Sequence, residues 1–159
     1  MSLNKGKQFE QKLREDFIRS FPFGTIDRIN DSMTGYRTIS NISDFVAYNY
    51  PLLYYIECKS HNGNTFPLVN LTQYDKLMRK VGIKGVRAGV VLWMIEHDKV
   101  LYLPISFIKY LKENDYKSFN IKMLKDENLN KMFIDIPSIK VRVFMKSDYS
   151  ILSSLPENW

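Results

Sequence analysis

The stretch Val90-Val91-Leu92-Trp93-Met94-Ile95 is the most apolar in the chain and constrains it most. It has the length of a strand and falls far short of the roughly 18 residues that a membrane-spanning helix needs. Extended to Val86–Glu96, it predicts the most deeply buried strand of the protein. His97-Asp98 then turns the chain into Lys99–Leu103, so these two segments predict a hairpin. Such a strand needs a core around it. A chain of 159 residues, 45% hydrophobic with ten Phe, ten Tyr and two Trp, can supply one, and 1–159 reads as a single domain.

Other elements follow from periodicity. Phe9, Leu13 and Phe17 recur every four residues in Lys5–Ser20, which predicts an amphipathic helix ended by Pro22 and Gly24. A short strand is expected at Thr25–Ile29 and a polar loop at Asn30–Asn41. Ser43–Asn49 and Leu52–Ser60 read as strands joined by a tight turn at Asn49-Tyr50-Pro51. After a loop at His61–Thr65, a second helix is expected to start near Asn70 or Thr72. Its stripe is Leu71, Tyr74, Leu77, Met78 and Val81, and Gly82 closes it. Ile105–Lys112 is a short helix after Pro104; a further helix is expected near Leu124–Met132 and a strand at Ile139–Phe144. The order predicts an α/β or α+β sandwich, a central mixed sheet flanked by helices.

Twenty-three Lys and Arg against seventeen Asp and Glu give a net charge of +6, which is compatible with a polyanionic partner but weak evidence for one. Cys58 is the single cysteine, so an intramolecular disulfide is excluded and a reducing cytoplasm fits. The first residues carry no apolar run of the signal-peptide kind, and a cytoplasmic protein of bacterial or phage origin is expected.

Ile56-Glu57-Cys58-Lys59-Ser60 is the chemically informative segment. Side chains of a strand alternate faces, so Glu57 and Lys59 point one way and Ile56 and Cys58 the other. Cys58 is then a small core residue rather than a nucleophile. A Glu-x-Lys alone is weakly specific and usually a solvated ion pair. Here Asp44, thirteen residues upstream, opens the preceding strand. Strands joined by a tight turn lie side by side, so Asp44 can approach Glu57. Two carboxylates on neighbouring strands make a hard oxygen site suited to Mg²⁺. A lysine beside them can hold an attacking water or stabilise charge on a phosphate. These are the parts that phosphodiester hydrolysis requires.

Asp44…Glu57-Cys58-Lys59 resembles the PD-(D/E)xK nuclease superfamily, with Ser43 where the motif has Pro. Within it, the resemblance is to Holliday junction resolvases. Gly6-Lys7-Gln8-Phe9-Glu10 is similar to the Gly-x-x-Phe-Glu start of archaeal-type resolvases. Phe66-Pro67-Leu68-Val69-Asn70-Leu71, followed by Gln73, resembles the RecU branch, as does Tyr102-Leu103-Pro104. The likeness spans roughly residues 4–112. Two features depart from RecU: the segment before Asp44 is shorter than its stalk-bearing region, and Ser43 replaces a Thr. The resemblance implies a restriction-endonuclease-like core in which Asp44 and Glu57 hold Mg²⁺, or Mn²⁺ in its place. Lys59 then orients water, Glu10 adds an outer or further ligand, and Gln73 supports the site or touches a backbone phosphate. Read without it, Glu10 is an exposed helix carboxylate facing Arg14 at i+4, and Gln73 a surface amide.

Lys76, Arg79, Lys80, Lys84 and Arg87 fall within twelve residues that contain no acid. The run reads either as a solvated face or as a track for DNA phosphates. The family's substrate-reaching loop implies roles for Arg28 and Ser32, and Arg37 flanks the same loop. His61 could serve as a general base or be merely solvated, and His97 has no role. Tyr48, Tyr54 and Tyr55 are candidate stacking residues, although strand aromatics usually pack a core.

The leading expectation is a Mg²⁺-dependent endonuclease acting as a homodimer on four-way DNA junctions. The hairpin Val86–Leu103 and the Phe17 and Phe21 end of the first helix are the expected dimer surface. The alternatives are another PD-(D/E)xK enzyme acting on duplex DNA and a basic DNA-binding protein without catalysis. No motif supports an RNA-binding module.

Overall fold

The computed structural model describes residues 4–34 and 37–159, with 32–34 and 37–39 given by backbone alone. Helix α1 occupies Lys5–Ser20, as its apolar spacing predicts. Asn4 caps it through an acceptor for the Lys7 amide at 3.3 Å. Strands β1 (Thr25–Arg28), β2 (Ser32–Thr34), β3 (Arg37–Ile39), β4 (Phe45–Asn49), β5 (Leu52–His61) and β6 (Thr65–Pro67) follow. A short helix α2 (Tyr74–Met78) leads to β7 (Val86–Met94), β8 (Lys99–Pro104) and α3 (Ile105–Glu113). The chain ends through β9 (Ser118–Asn120), β10 (Ile134–Asp135), β11 (Ser138–Val141) and β12 (Phe144–Ser147), with 3₁₀ turns between and after them.

Six strands form the central sheet in the order β1-β4-β5-β7-β8-β10. Only β5 and β7 pair in parallel, from Leu53 opposite Val86 to His61 opposite Met94; the other pairs are antiparallel. The sheet is therefore mixed, as expected. Its two faces carry separate cores. Leu52, Tyr54, Ile56 and Cys58 of β5 join Val91 and Trp93 of β7 beneath α1 and the C-terminal segment. Val90, Leu92 and Met94 face the other way, against Leu77 of α2 and Phe107 and Leu111 of α3. A strand covered on both faces cannot alternate polar with apolar, which is why Val90–Met94 reads as one unbroken run. Gly89 has a steric reason: a Cβ there would collide with the Tyr102 ring lying across it from β8.

Several expectations need correction. The second helix is only five residues long, preceded by a 3₁₀ turn at Leu68–Asn70. Its apolar spacing reports burial of Leu71 and Leu77, not a continuous helix, and Gly82 with φ +83° follows well beyond its end. The segment Leu124–Met132 is two 3₁₀ turns, Ile121–Lys125 and Leu129–Lys131. Between them the Asp126 side chain accepts the amides of Asn128 (2.9 Å) and Leu129 (3.0 Å), a local bond that competes with helix formation. The single strand expected at Ile139–Phe144 is a hairpin of β11 and β12, reversed at Arg142 with φ +58°. The polar loop Asn30–Asn41 contains the paired strands β2 and β3. Trp93, Tyr102, Phe17 and Phe21, expected at a dimer surface, all lie in the core. Among the described residues, no helix is long and apolar enough to cross a membrane.

Candidate active site

The register of β4 against β5 builds the site. Phe45 stands opposite Ile56, so Asp44, one residue earlier, lies beside Glu57. The Asp44 carboxylate accepts the Cys58 amide at 2.8 Å, while its own carbonyl accepts the Ile29 amide at 2.8 Å. Asp44 is thus fixed at the seam between β1, β4 and β5. The buried Ser43 donates its hydroxyl to the Phe45 carbonyl at 2.8 Å and shapes the entry to β4 without a proline.

Glu57 is 1% exposed. Its Oε1 meets the Lys59 ammonium at 3.1 Å, and its Oε2 has no partner among the described residues. Burial pushes the carboxyl up to about 7, the Asp44 carboxylate adds to the rise, and Lys59 opposes it. As expected, Glu57 and Lys59 share a face. Cys58 is buried on the opposite one, its thiol pushed well up by burial and by Asp44, Glu10 and Glu57, which leaves it a core residue.

Glu10 is not paired with Arg14. Its Oε2 accepts both Nε (2.8 Å) and Nη2 (2.7 Å) of Arg28, whose Nη1 also donates to Asn30. Among the described residues, no three His, Cys, Asp or Glu side chains are grouped to hold a metal ion. The structure therefore joins Asp44, Glu57 and Lys59 but leaves Glu10 on an arginine. Gln73 precedes α2, where its Oε1 takes the Thr72 hydroxyl at 2.8 Å; it makes no hydrogen bond to Glu57 or Lys59.

The basic run is not one surface. Arg79 and Lys84 are exposed. Lys76 donates to the carbonyl and hydroxyl of Ser40, holding the end of the β2–β3 segment against α2. Lys80 stands 5.1 Å above the Tyr55 ring, and Arg87 is buried. The side chains of Ser32 and Arg37 lie outside those described. Tyr54 is in the core, with its hydroxyl on the Leu152 carbonyl, and is unable to stack on a base; Tyr48 is exposed. The His61 ring packs edge-on to Phe66, and His97 bonds Asn64 at 2.7 Å. The Arg28–Glu10 pair joins residues 18 apart in sequence, a contact that no local spacing signals.

A divalent cation fits this chemistry. Two neighbouring carboxylates, one with an orphaned oxygen and a raised pKa, carry negative charge that the lysine alone does not offset. Mg²⁺ is commonly held by one or two carboxylates, with waters and phosphate oxygens completing its octahedron.

No protein-family model matches the chain, and no curated protein matches it in sequence. Its fold does have a solved counterpart. The fold resembles that of Hjc, a Holliday junction resolvase from the archaeal hyperthermophile Archaeoglobus fulgidus. The TM-score is 0.56 at 19% identity, covering 82% of this chain and 95% of the archaeal one. At that identity the likeness establishes architecture alone: an Hjc-like fold, mixed α/β, with a central mixed sheet flanked by helices. The carboxylate pair thus lies on the sheet of a resolvase-like fold.

Proposed function

We propose that the protein is a Mg²⁺-dependent endonuclease that resolves four-way DNA junctions, with Mn²⁺ able to replace Mg²⁺. The observation that carries this reading is the Asp44–Glu57 pair with its unpartnered Oε2, beside Lys59 on an Hjc-like sheet. The Phe66-Pro67-Leu68 segment adds the RecU-like element of the reading.

Asp44 and Glu57 hold the cation, which when bound supplies Lewis-acid polarisation and a more acidic water. The chain's own residues do the rest. Glu57 must be ionised to ligate, so its raised pKa makes cation binding release a proton and strengthen from pH 6 to 8. Lys59 places its ammonium 3.1 Å from Glu57, where it can orient the attacking water and offset charge on the phosphate in the transition state. The Asp44–Cys58 bond keeps the two strands in register, so the carboxylates do not drift. Glu10 joins the ligand set only by leaving Arg28, and a DNA phosphate arriving at that half-exposed guanidinium is a suitable exchange partner. Gln73 stands ready at α2, and Arg79 and Lys84 are the exposed cations of the basic run that can follow the backbone.

Resolving a junction needs two cuts, and each chain supplies one site, so a two-fold homodimer is part of the proposal. Its interface must draw on apolar side chains outside the core; Phe23, Tyr50, Val69, Ile139 and Val143 are the most exposed. The test is cleavage of a synthetic four-way junction and a linear duplex, side by side, in Mg²⁺ and in EDTA. Paired nicks in the junction, lost in EDTA and in Asp44→Asn, are the expected result. Equal cutting of linear duplex by a monomer would reduce the reading to a duplex nuclease, and metal-independent binding without cleavage would leave only a DNA-binding protein.

A further inference from the structure

At the end of β5 farthest from Glu57, a cavity of about 510 Å³ is lined by Gly82, Lys84, Gly85, Arg87 and Glu157, together with Pro51 and Leu52. Arg87 is only 3% exposed. Its Nη1 donates to the Val86 carbonyl at 3.1 Å, its Nε has no partner, and among the described residues no carboxylate forms an ion pair with it. The neighbouring Tyr54 and Tyr102 do not neutralise it, because burial raises both phenols, Tyr54 to about 12. A buried guanidinium without a counter-charge is costly, and its rigid fork matches an oxyanion in two-point contact. The cavity wall supplies more donors. Lys84 is exposed on it and brings a second cation. Gly82 and Gly85 turn this segment at φ +83° and +77°, a backbone that residues with a Cβ rarely adopt.

We propose that this cavity is a phosphate-binding site, separate from the carboxylate pair, with Arg87 at its base and Lys84 at its rim. The shared chemistry is a phosphate group, carried either by a nucleic-acid backbone or by free phosphate. Glu157 is the one carboxylate on the lining, and it disfavours an entering phosphate. The site does not depend on the nuclease reading.

The experiment is calorimetric titration of the full chain with inorganic phosphate in EDTA, against chloride at equal ionic strength. Binding above the chloride control is expected. Lys84→Gln should weaken it about tenfold, the size of one charge-assisted hydrogen bond, and Glu157→Gln should tighten it. Arg87→Lys should abolish most of it; if that variant does not fold, the two exposed positions still decide. Competition by a short blunt duplex identifies the backbone as the source, and phosphate binding without such competition identifies free phosphate. No heat beyond chloride in both the wild type and Glu157→Gln, or affinity untouched by Lys84→Gln, would overturn the proposal.

Discussion

The two halves of β5 carry opposite electrostatic faults. In its C-terminal half Glu57, with Asp44 beside it, crowds negative charge that Lys59 only partly offsets. In its N-terminal half Tyr54 stands opposite Arg87 of β7, a buried positive charge with no carboxylate partner among the described residues. Arg87 is level with Tyr54, three residues or about 10 Å along the strand from Glu57, and strand alternation puts the two side chains on opposite faces of the sheet. A fold optimised for stability alone would avoid both or pair them directly. Ile56, between the two, shows that alternative, packed in the core. Under the two proposals above, the buried charges of Glu57 and Arg87 are the places where ions of opposite sign bind.

The contrast is broken most completely at its acidic end. Asp44→Asn or Glu57→Gln should reduce junction cleavage by about 10³-fold or more while leaving DNA binding intact, since several kcal/mol of metal-derived transition-state stabilisation is lost. Single-turnover cleavage and gel-shift titration measure the two halves of that statement. Near-normal cleavage in both variants would remove the metal-site assignment.

A loss of stability is expected from β7, where Gly89 stands opposite Ile56 of β5. Gly89→Ala forces a Cβ into the Tyr102 ring, so it should cost about 2–3 kcal/mol in urea unfolding through overpacking.

Next comes the pH dependence of the metal-free protein. Glu57 has a higher pKa folded than unfolded, so the folded state binds its proton more tightly. Between the unfolded value of 4.5 and the folded value of about 7, stability must fall as pH rises. In EDTA the wild type should be more stable at pH 5 than at pH 8, and Glu57→Gln should flatten this difference, an effect of about 1–3 kcal/mol. Unfolding in urea at the two pH values checks it; identical slopes for the two proteins would mean that Glu57 is not strained.

Salt dependence sharpens the reading of the basic run. Arg79→Gln and Lys84→Gln should each flatten the log-affinity slope for duplex arms by about 0.9 if the residue meets a phosphate. Lys76→Gln should act differently, through release of Ser40 rather than loss of a phosphate contact.

The smallest effect concerns Arg28. Arg28→Gln should tighten Mn²⁺ binding severalfold, about 1 kcal/mol, by freeing Glu10. The gain should vanish in a Glu10→Gln background, as followed by calorimetry without DNA. A gain that persists there would reflect only the lost positive charge.

The amino-acid sequence by itself determined the elements whose signals are local. The four-residue spacing of Phe9, Leu13 and Phe17 specifies α1, and the apolar run through Val90–Met94 specifies the central strand. Period-two alternation was enough to set Glu57 and Lys59 on one face and Cys58 on the other, and the tight turn at Tyr50-Pro51 brought Asp44 level with Glu57. Elements decided by competition escaped it. Asp126 splits an expected helix by taking backbone amides itself, and Arg142 folds an expected strand into a hairpin without a glycine to announce it. Only the tertiary structure decided which charges meet. Glu10 had Arg14 one turn away, yet it pairs with Arg28 because β1 lies alongside α1. The basic residues 76–87 look alike in one dimension, but α2 and β7 divide them among Ser40, the Tyr55 ring, solvent and a buried cavity. Periodicity is carried by neighbours along the chain, whereas the partner of a long charged side chain depends on how whole elements pack.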